Sequence, residues 1–263
     1  MPEMFLAKIV NKVNLKDNII KFSVKAPTIV EKSKAGQFIE IKVSKSIDPF
    51  LRRPISIHNI EKENGILEFI IQLKGKGTKY LSEVQIGEEI DIIGPLGRGY
   101  FNYSKSNKLA VIGGGIGVFP LYELCKEAKQ SKKQVNTYLG FRNKDFVILE
   151  NEFKNVSSEL ILATDDGSYG ENGFAINFLK EDIETGKIDS IFACGPMPML
   201  KAVKSLAEEK NIPCQISIEE NMACGLGLCL GCAVKTSASS KENPKYVHVC
   251  KTGPVFDATF VDI

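Results

Sequence analysis

The chain has 263 residues, with 34 Lys or Arg against 32 Asp or Glu and a formal net charge of +2. That balance argues against the basic surface of a nucleic-acid binder and against an acidic tail for a charged partner. MPEMFLAKIVNK has no basic segment ahead of a long apolar run, and LAVIGGGIGVFPLY is short and broken by glycines and Pro120, so neither a signal peptide nor a membrane span is expected. A cytoplasmic, reducing setting follows, in which the seven cysteines are metal ligands or free thiols rather than disulfides.

The first hundred residues read as strands. FLAKIVNKVNL, IIKFSVKAP, QFIEIKVS, PISIHNI, ILEFIIQL and EIDIIGPLG are rich in β-branched residues, often alternate apolar with polar, and are separated by Gly, Asn, Asp or Pro. Six such runs at short spacing predict an antiparallel six-stranded β-barrel over residues 1–103. Within it RRPISI, 52–57, is an unusual strand opening. Arg53 has the chemistry to neutralise a phosphate and Ser56 to hydrogen-bond a ring nitrogen, while a plain edge strand with a solvated basic start explains the run equally. KGKGT, 74–78, is either a nest of backbone amides for phosphate or a hairpin turn.

From about residue 105 strands and helices alternate, which predicts an α/β domain with a parallel sheet over 104–216. KLAVIGGG runs into a glycine turn, and the helix after it places Leu121, Leu124, Cys125 and Ala128 on one face. MPMLKAVKSLAEEKN is a second clear helix, with Pro198 in its first turn. The turn GGGIGVFP supplies Gly113, Gly114, Gly115 and Gly117 between a strand and a helix, where a pyrophosphate can sit. It departs from G-x-G-x-x-G because Val118 holds the third glycine position, so a close helix–strand packing turn is the competing reading. TDDGSYG, with Asp166 and Gly167, and ACGP, with Cys194, Gly195 and Pro196, end two later strands on the edge where parallel sheets bind ligands. Cys194 is equally a small buried hydrophobe. Phe141-Arg142 ends another strand where an acidic residue would bind a ribose diol, which leaves NAD and NADP both open.

Residues 217–263 have little regular pattern and belong to the cysteines. Cys224-x4-Cys229-x2-Cys232 followed by Cys250 has the spacing of a plant-type [2Fe–2S] loop. Gly225, Gly227 and Gly231 allow a close backbone whose amides point at sulfur. A structural zinc site normally shows paired C-x2-C knuckles instead. Neither His58 nor His248 has a catalytic partner in the sequence, and His248 is expected to shield the cluster.

Taken in order, the barrel with RRPIS, then GGGIGVFP, TDDGSYG and CGPMPML, then the cysteines, resemble the ferredoxin-reductase superfamily. LRRPISI, GPLGRGY, GGGIGV, DGSYGENG, CGPMPMLKAV, EENMACGLGLCLGC and VCKTGPVF look more closely like the electron-transfer subunits of two-subunit, NAD-dependent dihydroorotate dehydrogenases. The resemblance implies FAD on the barrel, lined by Arg53, Pro54, Ile55, Ser56, Ile70, Ile71, Gln72, Gly77 and Thr78. Ile55 stands where many superfamily members stack a tyrosine on the flavin. It implies NAD on the α/β domain at the glycine turns, with Cys194 near the nicotinamide as the catalytic candidate. It also implies a [2Fe–2S] cluster on Cys224, Cys229, Cys232 and Cys250, and an FMN-containing catalytic subunit as partner in a 2+2 heterotetramer of pyrimidine biosynthesis. Reductase subunits of a sulfide dehydrogenase or of an electron-bifurcating transhydrogenase are the near alternatives, and a zinc-binding interaction module is the distant one.

Overall fold

Alternation builds the barrel. In β6 (Glu89–Leu96) every second residue is buried, so one face of the strand is apolar and must be covered. The same logic gives β1 (Glu3–Lys16), β2 (Ile19–Lys25), β3 (Phe38–Lys42), β4 (Arg53–Glu61) and β5 (Ile66–Gln72). They pair antiparallel in the order β1-β2-β5-β4-β3-β6, and β6 closes back onto β1 with Met4 opposite Ile93. Closure removes the free sheet edges that an open sheet of this size would expose. The interior is filled by Phe22 stacked on Phe69, ring centres 5.3 Å apart, among Ile9, Ile39, Ile41, Ile57 and Leu67. Two helices interrupt the strands, in stretches that the sequence pattern did not mark as helical. α1 (Pro27–Lys32) starts on a proline and buries Ile29 and Val30, and α2 (Lys76–Glu83) buries Leu81.

The second sheet runs in the order β10-β9-β8-β7-β11-β12-β15. Its parallel strands are β7 (Lys108–Gly114), β8 (Gln134–Phe141), β9 (Glu159–Thr164), the two-residue β10 (Glu171–Asn172), β11 (Ser190–Cys194) and β12 (Cys214–Ser217). β7 and β11 are buried along almost their whole length, as strands covered on both faces must be. The connecting helices are α3 (Leu121–Gln130), α4 (Glu150–Val156), α5 (Ala175–Glu184) and α6 (Met197–Lys210). α3 buries Leu121, Leu124, Cys125 and Ala128, the face its periodicity predicts. Short strands β13 (Ala233–Lys235) and β14 (Tyr246–His248) flank the polar loop at 237–245, and β15 (Val255–Asp257) adds antiparallel to β12.

The structure, a computed structural model, describes residues 2–44 and 47–263. They gather into two compact units. One contains the barrel up to Tyr100 with Glu219–Ala233 and His248–Pro254, and the other contains Phe101–Ile218, Val234–Val247 and Val255–Ile263. The cysteine-bearing segments thus pack with the barrel, and the last strand belongs to the parallel sheet. Among the described residues no helix is long and apolar enough to cross a membrane.

Candidate functional site

Arg53 opens β4, and its Nη1 donates to the carbonyl of Leu51 at 2.6 Å. Its guanidinium lies over Gly77 in the first turn of α2: a Cβ built there would stand 2.5 Å from Nε. KGKGT is therefore a helix N-terminus rather than a hairpin. Thr78 ties it together, its Oγ1 accepting from the amides of Lys74 at 3.1 Å and Gly75 at 3.3 Å. A guanidinium beside a helix N-terminus is a site for a phosphate group, because both present N–H donors and positive potential. Arg53 can lie over Gly77 only because that residue lacks a side chain, and the N–H donors gathered here have the chemistry a phosphate group needs. Pro54 and Ser56 alternate with Ile55, which pairs with Ile39 and packs against the barrel interior. Ile71 also belongs to the interior, so Ile70 and Gln72 occupy the other face of β5. Neighbouring Arg52 is committed elsewhere, to the Asp91 carboxylate at 2.9 Å.

In the second unit the chain turns from β8 and β9 on one side of β7 to β11 and β12 on the other. The switch point of such a sheet lies outside the strand ends between β7 and β11, and ligands bind there. Gly113 and Gly114 end β7, Gly115 has φ +55°, and Gly117 presses on the end of β11. A Cβ on Gly117 would stand 2.6 Å from the Cys194 carbonyl oxygen and 2.6 Å from Gly195 Cα. A Cβ on Gly114 would meet Pro196 and Met199, and one on Gly195 would meet Met199. The glycines pack the two turns together, as the packing reading requires, at the edge where parallel sheets bind ligands. Asp166 and Gly167 follow β9 on the same edge and are exposed. The Ser168 side chain and amide hold the Asp166 carboxyl below its usual range. Cys194 is 1% exposed, so its contribution at this edge is shape rather than an accessible nucleophile. Arg142 is exposed just beyond β8.

None of the seven cysteines, all among the described residues, is in a disulfide. Gly225 and Gly227 take φ +64° and +82°, which bend the loop so that the amides of Leu226 and Leu228 donate to Cys224 Sγ at 3.4 and 3.3 Å. Burial opposes ionisation of Cys224, but these amides, with the amide and thiol of Cys229, lower it to about 6. The Cys250 amide donates to Cys232 Sγ at 3.4 Å, and burial together with Cys232 pushes the Cys250 thiol up to about 12. A coordinated metal would deprotonate it outright. Thiolates fed by backbone N–H groups are the donor set an iron–sulfur cluster requires. Among the described residues no three His, Cys, Asp or Glu side chains converge on one point as a single ion would need. His248 is half-buried, and its carbonyl accepts from the amides of Lys251 and Thr252, capping the turn after Cys250. Around the cysteines Leu226, Leu228 and Leu230 are 42%, 79% and 64% exposed, an apolar rim.

Sequence reasoning missed Glu40, buried at 1% on β3 with neither carboxylate oxygen hydrogen-bonded. The only sequence-level signal was an acidic residue inside the apolar run FIEIK.

Three family models match in order: an oxidoreductase FAD-binding domain over residues 6–103, an oxidoreductase NAD-binding domain over 111–205, and the iron–sulfur cluster binding domain of dihydroorotate dehydrogenase B over 219–262. The electron transfer subunit of dihydroorotate dehydrogenase B (NAD(+)) from Desulforamulus reducens is 37% identical over 97% of both chains. Its counterpart from Bacillus pumilus is 42% identical over 98% of this chain and 97% of its own. Among solved structures, a chain of an NADH-dependent reduced ferredoxin-NADP oxidoreductase, studied for flavin-based electron bifurcation, superposes with a TM-score of 0.84 at 30% identity, covering 98% of this chain and 90% of that one. The cytochrome b5 reductase domain of Ulva prolifera nitrate reductase shares the fold, with a TM-score of 0.64 at 15% identity over 80% of this chain and 94% of that one. With the three domain models matched in this order and relatives of 37% and 42% identity aligned over nearly the whole chain, the chain belongs to the family of electron transfer subunits of NAD(+)-dependent dihydroorotate dehydrogenase B.

Proposed function

We propose that the chain takes electrons from a separate, FMN-containing catalytic subunit that oxidises dihydroorotate and delivers them to NAD⁺, within a 2+2 heterotetramer in the cytoplasm. When bound, the [2Fe–2S] cluster supplies one-electron carriage and FAD supplies the exchange between single electrons and a hydride. Cys224, Cys229, Cys232 and Cys250 hold the first, while Arg53, Ser56, Gly77 and the start of α2 hold the second. The glycine turns at 113–117, 166–167 and 194–196 bind the nicotinamide nucleotide, with Cys194 shaping the floor beneath its ring. The apolar rim of Leu226, Leu228 and Leu230 suits burial against the partner, which would shorten the electron's path to the loop. The observation that carries this reading is the cysteine loop packed in one compact unit with the Arg53 cradle.

The likeness to the bifurcating oxidoreductase chain favours a second reading, as the corresponding subunit of such a complex. Co-expression with a candidate catalytic subunit separates the two. Under the first reading the pair co-purifies, carries flavin and iron, and forms orotate when given dihydroorotate and NAD⁺. A complex that instead couples NADH to NADP⁺ and ferredoxin, with no orotate formed, would overturn it.

A further inference from the structure

Glu40 occupies a place that its strand does not explain. On β3, Ile39 and Ile41 enter the barrel core, so Glu40 between them points out of the barrel, where a glutamate is normally solvated. It is 1% exposed because the cysteine loop covers it. Gly225, the residue after Cys224, lies directly on its side chain. A Cβ on Gly225 would stand 2.5 Å from Oε1, 2.6 Å from Cγ and 2.9 Å from Cδ. The glycine is thus demanded twice, by φ +64° and by the carboxyl beneath it.

Neither oxygen of that carboxyl has a hydrogen-bond partner. The obvious cations are held elsewhere, Arg52 on Asp91 at 2.9 Å and Arg53 over Gly77. Burying a carboxyl without partners costs stability, and an apolar residue of similar shape would fill the space without that cost. What the carboxyl adds is a polar group fixed against the loop that begins at Cys224, in a medium where charge acts strongly.

We propose that Glu40, a residue of the barrel, is a positioning residue of the iron–sulfur site: it seats the loop of Cys224 through Gly225 and sets the reduction potential of the cluster. This rests on the reading of the cysteines as cluster ligands. Charge and hydrogen bonding around the sulfurs are what tune such potentials. An amide at position 40 is neutral whether or not the carboxyl is ionised, and it presents two N–H donors, where a carboxyl presents at most one O–H, to a centre that gains an electron, so it favours the reduced state.

The test uses the full chain purified with its catalytic partner, as wild type, Glu40→Gln and Glu40→Ala. Iron and FAD per chain, the EPR spectrum of the reduced cluster and its potentiometric midpoint are measured. Glu40→Gln is expected to keep wild-type iron and flavin and to move the midpoint upward. The reduced-to-oxidised ratio at fixed potential should rise at least about threefold, where tenfold corresponds to 59 mV for one electron. Glu40→Ala is expected to keep its flavin but to release iron to a chelator several times faster than wild type. A Gln variant whose midpoint is unchanged or lower, or an Ala variant that keeps iron as firmly as wild type, overturns the proposal. If the wild-type complex contains flavin but no iron, the reading of the cysteines fails instead, and the role of Glu40 fails with it.

Discussion

At the scale of single residues, close approach shapes the proposed FAD site. The Arg53 guanidinium occupies the space that a side chain at Gly77 would take. The guanidinium ends a flexible chain, so Gly77→Ala should displace it without unfolding the barrel. A charge-assisted hydrogen bond to phosphate is worth roughly 1.5–3 kcal/mol. Gly77→Ala is therefore expected to weaken FAD retention about tenfold, and Arg53→Ala about ten- to a hundredfold. Both should leave the melting temperature of the flavin-free chain nearly unchanged. Flavin content after extensive dialysis measures this, and full retention in Arg53→Ala would remove the phosphate site from β4. Glu40 makes a separate prediction for the iron-free chain. Burial raises its pKa from the ordinary 4.5 to about 7. Between those values the folded state binds the extra proton, so stability falls as pH rises. The loss reaches about 3 kcal/mol by neutral pH. Chemical denaturation of the iron-free chain at pH 5 and pH 8 should show that decline in wild type and a flatter dependence in Glu40→Gln. Parallel curves for the two proteins would place the carboxyl in water.

At the scale of elements, the proposed nucleotide edge rests on two turns that touch. Gly117 meets backbone, the Cys194 carbonyl and Gly195, which cannot swing aside as a side chain can. A methyl group there forces the turn after β7 away from the end of β11. Gly117→Ala is expected to lower the melting temperature by several degrees and to raise KM for NADH by an order of magnitude or more. Gly115→Ala meets open space and bears only the strain of φ +55°, roughly 1–2 kcal/mol, so it should be the milder change. Steady-state reduction of a dye by NADH compares them. Equal KM values for the two variants would show that contact between the turns does not shape the nucleotide site.

At the scale of the whole molecule, the cysteines and the proposed nucleotide edge fall in different compact units, so the two halves of the proposed activity should separate. Cys229 is exposed, and its removal leaves three thiolates for a cluster that needs four. Cys229→Ala should retain FAD and reduce an artificial acceptor with NADH at close to the wild-type rate. Dihydroorotate-driven NAD⁺ reduction by the assembled complex should fall by orders of magnitude. Size-exclusion chromatography establishes first that the variant still binds its partner. An assembled, iron-free complex that turns over dihydroorotate normally would sink the proposed electron route.

What the sequence determined by itself is what local spacing can carry. The six barrel strands, the face of α3 and the strand ends near Gly114, Thr164 and Cys194 follow from periods of two and of three to four residues. The cysteine spacing is that of a plant-type [2Fe–2S] loop. Only the tertiary structure decided which segment covers which face. QFIEIKVS read only as one of six strand runs, and nothing near it in sequence announces that Gly225 lies on top of Glu40. KGKGT read as a nest or a hairpin until the packing of Leu81 made it the start of a helix. Residues 217–263 read as one terminal segment, yet they are shared between the barrel and the parallel sheet. The physical reason is the same in each case. Periodicity reports that a face is apolar and must be buried, but its cover is chosen by contacts between residues far apart in the chain, where no local pattern records them.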